Sequence, residues 1–344
     1  MENIPVYWKS GVDDAIEMLK NVKRGKVTAE IRSAGGRPVQ LLVYGDKNEL
    51  NRTANLSCAL GAGDKSCYAD KSKPDYKPTI LIVGCVHGGE FEGTVALLNL
   101  ISLLETGADL KGEANEFLSK SAERVNILII PCLNPDGRSR IDFPSFVGKT
   151  FEDLRYYNQG TWKDGTLCGW PECKKIHPMK GHCEFLGAYF NDDGVNIMHD
   201  DFFGRKANET QFLFDTVDMY SPDYTILLHG GTNTVNCILK PSYAPDAVKE
   251  DVTELENAMM AHCESKNLAY HVTPMDRGEN KPTPCSFNLT SALYHFSGEP
   301  CVTYESNQGL TNCSSPAMTH DEIYRAHMIL FEEAIKHIEK KEES

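Results

Sequence analysis

The chain has 344 residues, 41% hydrophobic and 24% charged, with a formal net charge of −14. This is globular composition, and a chain of this length buries a core without staples. The acidic balance argues against nucleic acid or an anionic membrane as the main partner.

The first eleven residues lack a charged start followed by an apolar stretch, so the expected location is cytoplasmic, with no secretory signal. The longest apolar runs, 126–131 and 225–228, are too short to span a bilayer. The chain carries 12 cysteines, an even count that would suit disulfides. Cys85, Cys132 and Cys301 lie in or beside apolar runs, however, which favours reduced thiols acting as small core residues.

In chain order, 27–31 and 39–44 read as two strands of a hairpin around Gly35-Gly36. The polar stretch 51–76 reads as a loop. The run 79–85 is a buried strand. After it, Val95, Leu98, Ile101 and Leu104 recur at helical spacing, so the strand turns over Gly88-Gly89 into a helix beginning near Glu90. A second buried strand, 124–133, ends in the turn sequence Asn134-Pro135-Asp136-Gly137. Residues 138–194 lack periodicity and read as a long loop region near the site. Then come a helix over 209–220, a strand over 224–228 ending at His229-Gly230-Gly231, and a helix over 245–266. A strand over 300–304 ends at Glu305, and a helix over 316–339 closes the chain. No repeat or linker interrupts this order. The expected fold is one catalytic α/β domain over 1–344, a mixed, mostly parallel twisted sheet with helices on both faces.

His87, His229 and Glu305 each follow the end of an expected buried strand. In open α/β sheets functional groups gather beyond one end of the strands. His87-Gly88-Gly89-Glu90 places two ligand types three positions apart on a tight turn, and His229 supplies a third. Two imidazoles and one carboxylate with an open fourth position form a catalytic zinc set. Glu305 would then serve as the base. Taken singly, each residue has an ordinary reading: a chance His-x-x-Glu match, a core histidine, a solvated strand end. The joint pattern carries the argument.

Five segments bring a family into view: Gly84-Cys85-Val86-His87-Gly88-Gly89-Glu90, Asn134-Pro135-Asp136-Gly137, Gly194-Val195-Asn196-Ile197, Leu228-His229 and Thr303-Tyr304-Glu305. Over about residues 25–340 the chain resembles the zinc carboxypeptidases related to carboxypeptidase A. That resemblance implies one Zn²⁺ on His87, Glu90 and His229, with Glu305 as general acid/base. It also implies an arginine beyond the Asn134–Gly137 turn that steadies the developing oxyanion. Arg138 and Arg140 are the nearest candidates, off the family's usual spacing, with Lys149 and Arg155 farther on.

The chain also departs from the family. Met198 and His199 stand where an Asn-Arg pair grips the substrate carboxylate, and Gly89 replaces an arginine between the first ligands. Histidine is no equal substitute for an arginine fork. His199 and Asp200 are therefore candidate substrate-binding residues, and Asp192, Asp193, Asp200 and Asp201 would favour a cationic substrate group or form an exposed acidic loop. Tyr294 and Tyr304 are candidates for the family's site tyrosine. Cys168, Cys173, His177, His182 and Cys183 crowd one segment, but without a tight Cys-x-x-Cys pair, so a second metal there is not expected.

The leading expectation is hydrolysis of a peptide or other amide bond with altered carboxylate recognition. The alternatives are a deacylase of small N-acyl amines, like the aspartoacylase and desuccinylase relatives of this fold, and a silent binding protein on the same scaffold. Expected partners are a peptide or small amide, not nucleic acid or membrane.

Overall fold

Four buried strands, three of them rich in aliphatic residues, become the parallel centre of one sheet in the computed structural model, which describes residues 4–275 and 286–342. The strands are β1 (Lys26–Arg32), β2 (Pro38–Tyr44), β3 (Thr79–Val83), β4 (Asn126–Ile130), β5 (Gly160–Trp162), β6 (Cys183–Leu186), β7 (Tyr224–Gly230), β8 (Cys237–Leu239) and β9 (Cys301–Ser306). The main sheet has seven strands in the order β1-β2-β4-β3-β7-β9-β8. β4, β3, β7 and β9 run parallel, while the β1-β2 hairpin and β8 add antiparallel edges.

Alternation along the strands divides the core between the two faces. On one face Ile80, Ile82, Ile127, Ile129, Ile226 and Leu228 pack in one cluster with residues of helices Glu92–Thr106, Asp246–Ser265 and His320–Glu342. On the other, Leu81, Val83, Leu128, Ile130 and Leu227 meet helices Asn208–Tyr220 and Leu289–Ser297. Each such fully buried aliphatic side chain contributes roughly 1.5–3 kcal/mol from removal of its surface from water. Both faces are covered, as expected of a parallel centre.

The chain leaves β3 for β4 on one side, whereas β7 leads to β9 on the other. The strand order therefore reverses between β3 and β7, the position where α/β sheets open a crevice at their carboxyl ends. Beyond β3 and β4 the two chains stay joined by Leu133 N–H to Gly84 O (3.0 Å) and Asn134 N–H to Cys85 O (2.9 Å). Those bonds carry the two site turns on one rigid edge.

Several boundaries differ from the sequence reading. His229 and Glu305 lie within β7 and β9 rather than past them, because both strands run further than their apolar residues. Glu90 sits in the turn, and its helix begins at Glu92. The stretch 138–194 contains short elements, including Phe151–Leu154 and the antiparallel β5-β6 pair. Elements of three to five residues leave no periodicity to read. Helices Val12–Asn21 and Leu289–Ser297 and strand β8 were not foreseen. The described cysteines are free thiols, with Cys85, Cys132 and Cys301 buried. No helix among the described residues is long and apolar enough to cross a membrane.

Candidate metal centre

The turn after β3 owes its shape to close packing. A side chain on Gly88 would run into the backbone of Gly137 and Arg138, and one on Gly89 into the side chain of Asn158. Gly88 N–H donates to Ala188 O (2.8 Å), which also accepts from Asn134 Nδ2 (3.3 Å). Asn134 in turn accepts from Gly137 N–H (2.9 Å), closing its own turn. The two glycine-bearing turns are thus pressed together, and His87 and Glu90 project from the junction.

Glu90 lies between two imidazoles. Its Oε1 is 2.9 Å from His87 Nδ1 and its Oε2 is 2.7 Å from His229 Nδ1. All three side chains are buried. Burial would raise the Glu90 pKa, but the fields of His87 and His229 outweigh it and hold the carboxyl at about 2. Burial opposes charging of His229, yet Glu90 raises its pKa overall.

Proton placement tests whether a cation fits here. Asn196 Oδ1 accepts from Met198 N–H (3.1 Å), which identifies that atom as the oxygen. The same oxygen lies 3.1 Å from His87 Nε2, so Nε2 carries a proton. Nδ1 is then the ring nitrogen turned toward the Glu90 carboxylate. An imidazole nitrogen and a carboxylate oxygen at that spacing share a positive charge, a proton or a metal ion. The ligand atoms of His87, Glu90 and His229 lie within 4.8 Å of one another, so this group could hold a metal ion. Nitrogen–nitrogen–carboxylate is a zinc donor set, and the residues fit the ion.

Glu305 is the register partner of His229 on the neighbouring parallel strand. Although part of its surface reaches solvent, the cleft desolvates its carboxyl and pushes the pKa up to about 7, with Glu90 adding to the rise and His229 opposing it. Glu92, two residues past Glu90, is also buried, and desolvation pushes it up to about 8.

The fold agrees with what is found among known proteins. The model of the zinc carboxypeptidase family matches residues 26–300. The chain belongs to the zinc carboxypeptidase family. Its likeness to solved members is in fold. The metallo-carboxypeptidase of Burkholderia cenocepacia superposes with a TM-score of 0.58 at 14% identity, covering 95% of this chain and 69% of that one. That of Pseudomonas aeruginosa, solved with (2-guanidinoethylmercapto)succinic acid, gives 0.55 at 12% identity, covering 93% and 66%. Carboxypeptidase A of Helicoverpa armigera gives 0.52 at 15% identity, covering 97% and 72%. No curated protein sequence matches the chain. The family is zinc-dependent, and membership makes this chain a metallocarboxypeptidase-like hydrolase.

The other candidate residues each have identifiable neighbours. Arg138 is buried, and its guanidinium donates to Ser10 O (2.8 Å), Ser10 Oγ (3.3 Å), Ile141 O (2.7 Å) and Phe143 O (3.2 Å). It also lies 4.3 Å from the centre of the Phe91 ring. Arg140 donates to Gly187 O (2.8 Å) and Phe190 O (2.6 Å) and pairs with Asp192 (2.6 Å). Both guanidinium groups are engaged with backbone carbonyls. Lys149 has its Nζ over the Phe143 ring, 4.0 Å from the centre. Arg155 packs its guanidinium against Gly169.

The acidic residues are also spoken for. Asp192 joins Arg37 and Arg140, Asp193 meets Lys180 at 3.4 Å, and Asp200 accepts from Asp201 N–H and Ala207 N–H (both 2.8 Å). Asp200 therefore shapes its own loop. His199 lies in the fields of Lys174, His87, His177 and His229, and desolvation leads these in pushing its pKa down to about 3. Tyr294 and Tyr304 fill the core. The tyrosine that reaches the ligands is Tyr189, stacked on His87 with ring centres 4.0 Å apart. It comes from the aperiodic stretch, where no spacing marked it. Asn196 was quoted only as part of a motif, and its bond to His87 is a contact that sequence alone does not show.

Among the described residues, two groups bring three such ligands together: the buried triad, and His262 with Glu332 and Glu333. The latter links two helices and already holds Lys336 at 2.7 Å from Glu333. Cys168, Cys173, His177, His182 and Cys183 form no such group among the described residues.

Proposed function

We propose that this carboxypeptidase-family chain hydrolyses a peptide or related amide bond, with zinc on His87, Glu90 and His229 and with Glu305 as general acid/base. The observation that carries the reading is the convergence of His87 Nδ1, His229 Nδ1 and the Glu90 carboxylate, with His87 Nε2 turned away to Asn196. When bound, zinc supplies Lewis-acid polarisation of a carbonyl and acidifies water. Glu305 receives the proton of the attacking water and returns it to the leaving amine. Asn196 and Tyr189 hold the His87 ring by edge and face. Arg138 and Arg140 keep the cleft walls in place and act as positioning residues.

Recognition of the substrate follows a different plan from an arginine fork. His199, held neutral, offers no charge to a carboxylate. Lys174 has its Nζ over the Trp170 ring, and its field reaches His199. We assign it the role of meeting the substrate's negative end, with His199 as a neutral hydrogen-bonding neighbour. Asp200 contributes by holding the loop on which His199 sits.

The test is a substrate panel on the zinc-loaded protein: blocked peptides with free carboxyl ends, the same peptides amidated, and small N-acyl amino acids. Faster turnover of free-carboxyl peptides is the expected result. Preference for N-acyl amino acids would move the assignment to the deacylase, and zinc binding without any hydrolysis would leave a binding protein.

A further inference from the structure

The segment between β5 and β6 reaches back to the ligands at one point. Met179 N–H donates to Gly194 O (2.7 Å), and the Met179 side chain is fully buried in a cluster with Phe190, against which Tyr189 packs. This docks residues 177–180 against the start of the Asn196 turn. There the backbone N–H of Asn196 donates to His177 Nε2 at 2.9 Å.

The direction of that bond is fixed. A backbone N–H only donates, so His177 Nε2 is the bare nitrogen of a neutral ring. The rest of the chain of contacts follows. Asn196 is pinned at its N–H by His177 and at its Oδ1 by Met198 N–H, and that oxygen meets His87 Nε2. The groups facing His177 thus connect, through two hydrogen bonds and one residue, to a side chain assigned to the metal.

We propose that His177 is a positioning residue for the metal centre, acting through Asn196 to keep the His87 proton on Nε2 and Nδ1 free to bind the ion. The inference rests on the metal reading given above. An acceptor in the outer shell of a metal-bound histidine orients the ring and fixes its tautomer. Here the acceptor is a neutral amide, whose aim depends on how its own backbone is held. A histidine from the segment between β5 and β6 supplies that hold, which ties the segment's docking to ligand geometry.

The experiment compares full-length wild type, His177→Ala and His177→Gln. Zinc affinity is read by chelator competition, and the His87 Nε2–H proton by ¹⁵N-histidine NMR on the metal-free protein. His177→Ala should weaken zinc by about tenfold, the lower end for outer-shell partners of a ligand, and should speed exchange of the His87 proton. His177→Gln keeps an acceptor and should recover most of both. His177 is exposed, so thermal unfolding of the variants is expected to match wild type. An unchanged His87 proton signal and unchanged affinity in His177→Ala would overturn the proposal. Failure of wild type to bind zinc at all would instead remove the metal reading, and the metal-free proton signal still decides for or against the His177 link.

Discussion

His229 and Glu305 are register partners on adjacent parallel strands, so their side chains leave the sheet together at the same level. One contributes an imidazole to the buried triad, while the other keeps its carboxyl beside it without joining. The pleat of β7 and β9 thus fixes the separation between the proposed ligand and the proposed proton carrier, and β8 on the far side of β9 braces the second strand at Glu305 itself. A group held by strand pairing on both sides needs little reorganisation when it moves a proton.

Glu305→Gln should therefore keep zinc and lose turnover. Removing a general acid/base costs about 10²–10⁴ in rate. Elemental analysis together with peptide hydrolysis by the same preparation checks both halves. Retained activity would assign the proton transfer to another group.

His87→Ala and His229→Ala should each lose most bound zinc, because two of three ligands do not make a closed set. Retained zinc content after dialysis would show that the ion binds elsewhere. Each variant should also relieve part of the field that keeps Glu90 ionised.

Arg138 separates structural from catalytic roles. Its guanidinium satisfies three backbone carbonyls and the Ser10 hydroxyl. Arg138→Met keeps the stem but strands those acceptors, and should cost about 3 kcal/mol of stability. A denaturant titration measures it. If the residue braces the cleft, kcat of the folded variant falls modestly. A loss of several hundredfold with unchanged stability would place the side chain at the oxyanion instead.

Much of this site was legible because its residues are tied to strand ends. His87, His229 and Glu305 mark the carboxyl edges of β3, β7 and β9, and buried parallel strands announce themselves as aliphatic runs. Glu90 follows from the glycine turn. What escaped came from contacts with no sequence periodicity. Tyr189 and the contact of His177 with Asn196 come from a stretch of short elements, and the partners of Arg138 and Arg140 leave no mark on their spacing. Whether a guanidinium faces a cleft or a carbonyl is decided by packing against distant segments, such as Ser10 for Arg138. The strand β8 was missed because its three residues are too few to read.

The Asp192 network gives a stability test with a definite sign. Burial raises the Asp192 pKa, but Arg140 and Arg37 bring it below the ordinary carboxylate value. A depressed folded-state pKa contributes stability above the unfolded value, and that contribution is lost as pH falls through the folded one. Asp192→Asn should lower the melting temperature at neutral pH. On acidification from about pH 5 toward the depressed folded-state pKa the variant should lose less than wild type. Parallel curves for the two proteins would show that the pairs contribute nothing, as many exposed ion pairs do.

Lys174 carries the specificity prediction. It sits in the segment between β5 and β6, with its Nζ 4.7 Å from the centre of the Trp170 ring, and desolvation lowers its pKa. A partly desolvated ammonium whose field reaches a neutral histidine offers a carboxylate a stronger interaction than one in bulk water. Lys174→Met keeps the length and removes the charge. It should raise KM for free-carboxyl peptides by about tenfold, equivalent to about 1.4 kcal/mol, and leave kcat nearly unchanged, since the reacting atoms lie at the triad. Amidated peptides, with no charge to lose, should show the same KM in variant and wild type. An equal rise for both substrates would point to lost packing on Trp170, and no rise for either would exclude Lys174 from recognition.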